Sequence, residues 1–327
     1  MRWVESGDVR LALFEEGDPG RPTIVLVHGY PDTHRVWDEV ATLLRDRFHV
    51  VRYDVRGAGR STAPRDRRAY GFDHLIADLG AVLDAVGKPK VHLAGHDWGS
   101  LQGWEAIARE GVRDRVASFT SLGGPGLRQT RHFTRHGRRR DVAAQRLRSW
   151  YIGAFRLPAL PELAWGSVMP RVFTRTLLRE GVTPRPGHPA PTLAEDGRNG
   201  LWLYRRNMTA ALSSPEPDRH EPDRREPDRH EPDRHEPDRR GPGGPGPDPR
   251  GLDPRVPDVP VQVIEATRDR FVTPALTASF GGWVDGLWHR RLAAGHWAHR
   301  SRPDAVAGMI AEFADHVEGG RAGTALR

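Results

Sequence analysis

The sequence predicts an α/β protein: a mostly parallel central sheet flanked by helices, with a helical segment inserted into it. Three observations carry this. Short β-branched runs alternate with helical stretches through the first 124 residues. The strand signal then gives way to a helical period over residues 125–212. It resumes only at "VPVQVIEA", residues 259–266. The core is therefore expected in two pieces, 1–124 and 257–320, around a helical cap.

The elements follow in order. "VRLALFEEG" (9–17), "TIVLVHG" (23–29) and "HVVRYD" (49–54) are apolar, β-rich runs bounded by Asp, Pro and Gly. Thr33 is placed to cap a helix whose Val36, Trp37, Val40, Leu43 and Leu44 share one face. "FDHLIADLGAVLDAVG" (72–87) puts Leu75, Leu79, Val82 and Val86 in phase and stops at Gly87. "KVHLAG" (90–95) and "VASFTSLGG" (116–124) are strands. Within the insertion, 141–155 reads as one helix with Ala143, Leu147, Trp150, Tyr151 and Ala154 in period. Thr192 and Glu195 make a capping-box pattern opening a helix that carries Leu201, Tyr204, Met208 and Ala211 on one face. A short strand at 287–293 and a helix from Pro303 complete the chain.

Composition bounds the function. The 327 residues suffice for one large domain with a smaller one attached. The apolar fraction is only 37%, because residues 213–256 hold five tandem EPDR(H/R) units (216–240) and a Pro/Gly run. Proline at every fifth position and nothing apolar to bury predict a disordered loop there. His220, His230 and His235 lie in it, but a disordered tract must be ordered before it holds a metal, so no metal site is assigned. Absence of cysteine excludes disulfides, a thiol nucleophile and Cys-based zinc sites. The net charge is +7, yet the arginines are spread along the chain, so no nucleic-acid partner is expected. With no 18-residue apolar run, and with Glu5 and Asp8 but no apolar h-region at the start, the expectation is a cytoplasmic protein with no membrane partner. "LGGPG" (122–126) lacks dinucleotide-binding spacing, so no cofactor is implied. Oligomeric state is not legible.

"LAGHDWGS" (93–100) carries the chemistry. Gly95-His96-Asp97-Trp98-Gly99 fits a strand-to-helix turn that pushes its middle side chain out above the sheet. In isolation Asp97 would serve equally as a helix cap. Other residues decide. "LVHGYPD" (26–32) offers the amide of Tyr30, and the turn offers that of Trp98, as two donors of an oxyanion hole. Asp269 follows one late strand and His296 the next. Singly, these are an ordinary loop carboxylate and an ordinary histidine. In the order nucleophile, acid, histidine, at strand ends, they support one another. A serine attacking a saturated carbon would leave an ether that water does not cleave. A carboxylate leaves an ester that water does. Asp97 therefore suits displacement at an sp³ carbon, with His296 as base for water and Asp269 orienting the imidazole.

With "HGYPD", "DVRGAGRS", "GHDWGS", "RDRFVTP" and "GHW" spread over 20–125 and 259–300, the chain resembles the epoxide hydrolases of the α/β-hydrolase fold. The resemblance implies that water opens a small apolar epoxide to a vicinal diol through an alkyl-enzyme ester, without a cofactor. It implies a cis bond before Pro31. It also implies two cap tyrosines that hydrogen-bond the epoxide oxygen, here Tyr151 in "RSWYIGAFRLP" and Tyr204 in "LWLYRRNM". Trp98, Trp150 and Trp202 are expected to line the substrate cleft. The chain is also similar to hydrolase domains that precede a short-chain dehydrogenase in some bacterial proteins, though no G-x-G-x-x-G follows its last strand. Two alternatives stand beside this reading. One is a haloalkane dehalogenase with the same Asp–His–Asp chemistry, in which Tyr30 replaces the usual Asn donor and Trp150 or Trp165 substitutes. The other is a non-catalytic binding module. A serine esterase is disfavoured, because Ser100 lies three residues beyond the elbow centre.

Overall fold

In this computed structural model, residues 1–213, 259–284 and 286–325 are described, apart from the side chains of 209–213 and 321–325. Among them eight strands form one sheet: β1 (Arg2–Ser6), β2 (Val9–Glu16), β3 (Thr23–Val27), β4 (His49–Tyr53), β5 (Val91–His96), β6 (Val116–Leu122), β7 (Val261–Ala266) and β8 (Trp288–Leu292). Their order is β1-β2-β4-β3-β5-β6-β7-β8. β2 pairs antiparallel with β1 and β4, and every other pairing is parallel. The order reverses at β3, which lies between β4 and β5. In open α/β sheets ligands bind beyond the strand C-termini at such a reversal. Tyr30 and Asp97 sit just past those two ends.

The strands read as continuous apolar runs because the sheet is covered on both faces. Side chains alternate between the faces. Ile24 and Leu26 of β3 join one buried cluster, and Val25 and Val27 join the other. All four are fully buried, each contributing about 1.5–3 kcal/mol relative to exposure. Between β6 and β7 lie the helices Leu127–His136, Arg139–Arg148, Trp150–Phe155, Leu160–Trp165, Met169–Arg179 and Leu193–Ser213. Trp165, Phe173, Leu177, Leu201 and Tyr204 from them enter the same cluster as Ile24, Tyr30 and Trp98. The insertion thus seats directly over the strand ends.

Four local expectations change. β1 was not anticipated; it is a short edge strand with a half-exposed, alternating pattern. Residues 141–155 form two helices, because Ser149 leaves helical geometry (φ −91°, ψ 9°) and its hydroxyl accepts from Gln145 Nε2 at 2.9 Å. Thr33 caps a 3-10 turn, His34–Trp37, ahead of the helix Asp38–Leu44. The Thr192 hydroxyl donates to Asp196 Oδ2 at 2.7 Å, so its acidic partner is Asp196 and Glu195 stays exposed. The repeat at 216–240 and its histidines lie outside the described residues. Among the described residues no helix is long and apolar enough to cross a membrane.

Candidate active site

β5 runs straight into the elbow. Asp97 has φ 50° and ψ −119°, a backbone conformation that costs a non-glycine residue about 1–3 kcal/mol and turns its side chain out of the bend. The bend is tight enough that a Cβ on Gly99 would overlap the Val27 carbonyl. Asp97 Oδ1 accepts the Tyr30 amide at 2.7 Å. Trp98 is the first residue of the helix Trp98–Ile107, so its amide has no intrahelical partner by position. Ser100 is buried and its hydroxyl donates to Gly124 O at 2.7 Å, away from nucleophilic duty.

His296 faces the elbow, its Nε2 3.7 Å from Asp97 Oδ2. Its Nδ1 donates to Asp269 Oδ2 at 2.8 Å. Asp269 Oδ1 in turn accepts the amides of Phe271 (2.7 Å) and Val272 (3.0 Å). Burial alone would lower His296, but Asp269 and then Asp97 reverse this and push it up to about 10. For Asp269 burial opposes ionisation, yet His296 and the two amides outweigh it and hold the carboxyl below its usual range. His96 lies behind, its Nε2 on His296 O at 3.1 Å; burial and then the His296 charge lower it to about 4, so it stays neutral. Resting charge therefore concentrates on one imidazolium between two carboxylates.

Aromatic rings from the insertion pack beside the elbow, against Trp98 and Tyr30. Tyr204 packs edge-on to Trp98 (5.0 Å between centroids), Tyr30 (5.2 Å) and Phe155 (5.1 Å). Tyr151 lies 6.0 Å from Tyr204 and 5.5 Å from Phe271. Burial raises both phenols. The Asp97 charge is the next cause for Tyr151, and Tyr151 itself followed by Asp97 for Tyr204. Both stay protonated donors. The Tyr30–Pro31 bond is cis.

Two expected lining residues fall elsewhere. Trp150 is 70% exposed. Neighbours on a helix point about 100° apart, and it is Tyr151 that faces inward. Trp202 lies between the guanidiniums of Arg67 and Arg205, each 4.9 Å from its ring, beside a separate cleft of about 370 Å³. It is two residues from Tyr204, about 200° around the helix. The rings that pack against Tyr151 are instead Phe155 and Phe271.

Two neighbouring groups escaped the sequence reading. Asp32, inside the quoted "HGYPD", accepts from His188 Nε2 (2.9 Å) and Trp297 Nε1 (2.8 Å). Glu180, just past the helix Met169–Arg179, accepts the His296 amide at 2.6 Å. No local pattern marks Glu180; the contact spans 116 residues.

Comparison with known proteins follows the same line. A family model described as "alpha/beta hydrolase fold" matches residues 22–159. "Probable oxidoreductase EphD" of Mycobacterium tuberculosis is 34% identical over 336 residues, covering 99% of this chain and 51% of its own length. The chain thus spans about half the length of the curated relatives of that kind. Epoxide hydrolase A of the same organism is 28% identical, with 97% of this chain and 98% of that one covered. The crystal structure of a Bacillus megaterium epoxide hydrolase with an inhibitor shares the fold at a TM-score of 0.74 and 19% identity, covering 96% of this chain and 100% of that one. Strand order, elbow and these matches together define the α/β-hydrolase fold. Within that class the chain is epoxide hydrolase-like.

Proposed function

We propose that the chain opens small apolar epoxides to vicinal diols, with water as the only co-reactant. Residues 1–124 and 257–320 act as the core that reacts, and 125–212 as the cap that supplies the tyrosines. One observation carries the reading: Asp97 lies between the Tyr30 amide (2.7 Å) and His296 Nε2 (3.7 Å), with its charge acting on the phenols of Tyr151 and Tyr204.

Asp97 attacks a saturated ring carbon, and the carbon–oxygen bond of the epoxide breaks. Tyr151 and Tyr204 hold the leaving oxygen, which takes a proton from a phenol; the imidazolium replaces that proton. Alkylation turns the Asp97 carboxylate into a neutral ester. One of the charges that hold a proton on His296 is then gone. The neutral imidazole takes a proton from water as that water attacks the ester carbonyl. The amides of Tyr30 and Trp98 receive the oxyanion, each such donor being worth about 3–4 kcal/mol. The ester bond breaks, the departing oxygen takes the proton of the newly added hydroxyl and leaves as the diol, and carboxylate and imidazolium are restored. Atoms and protons balance over the cycle.

A single turnover of an aryl glycidyl ether in ¹⁸O-water tests this. The label is expected in the Asp97 peptide, with an unlabelled diol. A labelled diol beside an unlabelled Asp97 would overturn the covalent route. Faster halide release from a matched chloroalkane would favour the dehalogenase reading, for which exposure of Trp150 leaves buried Trp165 as the second indole. Epoxide binding without turnover would favour a binding module.

A further inference from the structure

We propose that Glu180 is a positioning residue for His296: a carboxylate carried by the helical insertion that fixes the backbone of the histidine loop and so sets the imidazole for hydrolysis of the ester. The proposal rests on the roles of Asp97 and His296 given above.

The Glu180 side chain is only 3% exposed. Its Oε2 accepts the His296 amide at 2.6 Å, and its Oε1 lies 3.3 Å from Nε of Arg270, the residue after Asp269. The loop is shaped around this carboxylate, because a Cβ on Gly295 would overlap Glu180 Oε2. Removing Glu180 leaves a backbone donor at His296 without its partner, which is costly where water is excluded. Burial raises the Glu180 carboxyl, while the His296 amide and imidazolium pull it back down. The insertion also grips the acid loop. Gln145 donates to Phe271 O (2.7 Å) and accepts from the Thr273 amide (2.8 Å), and Arg148 donates to Asp269 O (2.7 Å). Both loops that carry the Asp269–His296 pair are therefore tied to the insertion. The Glu180 contact reaches the residue that moves protons.

The two chemical steps depend on that residue unequally. In attack by Asp97 the imidazolium only returns a proton to the phenol that has given one up, whereas hydrolysis of the ester needs the imidazole as the base that activates water. Loss of Glu180 should therefore act on the second step.

Glu180→Ala, Glu180→Asp and Glu180→Gln separate the possibilities. Alkylation is followed by quenching of tryptophan fluorescence in stopped flow, and ester hydrolysis by single turnover. Thermal melting checks the fold. In the Ala and Asp variants alkylation should stay within about twofold and hydrolysis should fall about 10- to 100-fold, with alkyl-enzyme visible by intact mass. Gln offers an amide oxygen for the same bond, so it should recover hydrolysis to within about threefold of wild type. The downfield His296 Nδ1–H resonance of the resting protein should persist in Gln and be lost in Ala and Asp. If Ala does not fold, Asp carries the test, since it keeps the charge but not the reach. Parallel loss of both steps, a Gln variant no better than Ala, or an unchanged resonance in Ala and Asp would overturn the proposal. If wild type forms no alkyl-enzyme yet the resonance follows the expected pattern, the proposed reaction falls and the positioning role stands.

Discussion

Among the buried Asp–His pairs of the described residues, two of almost the same length make a contrast. His296–Asp269 spans 2.8 Å and His188–Asp32 spans 2.9 Å. Their outer nitrogens differ. His296 presents Nε2 to Asp97 at the elbow. His188 turns Nδ1 to Arg300 Nε at 3.3 Å, and the second oxygen of Asp32 is taken by Trp297. The first pair has a face from which a proton can leave; the second is closed on every side. A carboxylate–imidazole contact is thus no signature of catalysis in itself. What the far nitrogen meets decides whether the pair turns over protons or holds loops together.

The sharpest way to break this contrast is to remove each imidazole. His296→Gln should cut turnover about 10⁴-fold and leave an adduct on Asp97, read by steady-state rates and peptide mapping. His188→Ala should act on stability, by about 3–5 kcal/mol in urea unfolding, with turnover of the folded fraction within about tenfold. Equal kinetic damage from both would erase the distinction. A smaller effect is expected opposite the open pair. Tyr204→Phe should slow the fluorescence-detected alkylation about 100-fold and leave hydrolysis of a preformed ester nearly unchanged. The smallest is a pH effect. His296 is raised from 6.5 to about 10 in the folded chain, so its contribution to stability is full below pH 6.5 and is lost as pH rises toward 10. Relative to His296→Gln, the wild-type melting temperature should therefore decline by at least about 2 °C across that interval. A flat difference would show that the open pair stores no such charge.

The strands that carry the site were legible because β3 to β7 are buried on both faces and read as unbroken apolar runs. β1 was not, since an edge strand with three exposed residues of five has no such run. The elbow, Asp269 and His296 were legible as an ordered set at strand ends. Tyr151 and Tyr204 came from resemblance, and the structure brings their rings together. Trp150 and Trp202 were misplaced for one geometric reason: residues one or two apart on a helix cannot share a face. The reading of 141–155 failed at Ser149, where a side-chain bond from Gln145 marks a break that periodicity does not register. Glu180, His188 and Arg300 had no local signal, since each acts on a residue more than a hundred positions away.

β6 and β7 lie side by side, with Phe119 paired to Val261, although the whole insertion runs between them. The joint therefore behaves as a port in the fold. Chain of any length can leave the sheet there and return without disturbing one strand pairing. Closing a longer excursion costs only logarithmically more entropy, so a few added residues are a small cost. An insertion at this port leaves the strand register intact, while one inside β5 or its elbow would shift it at once.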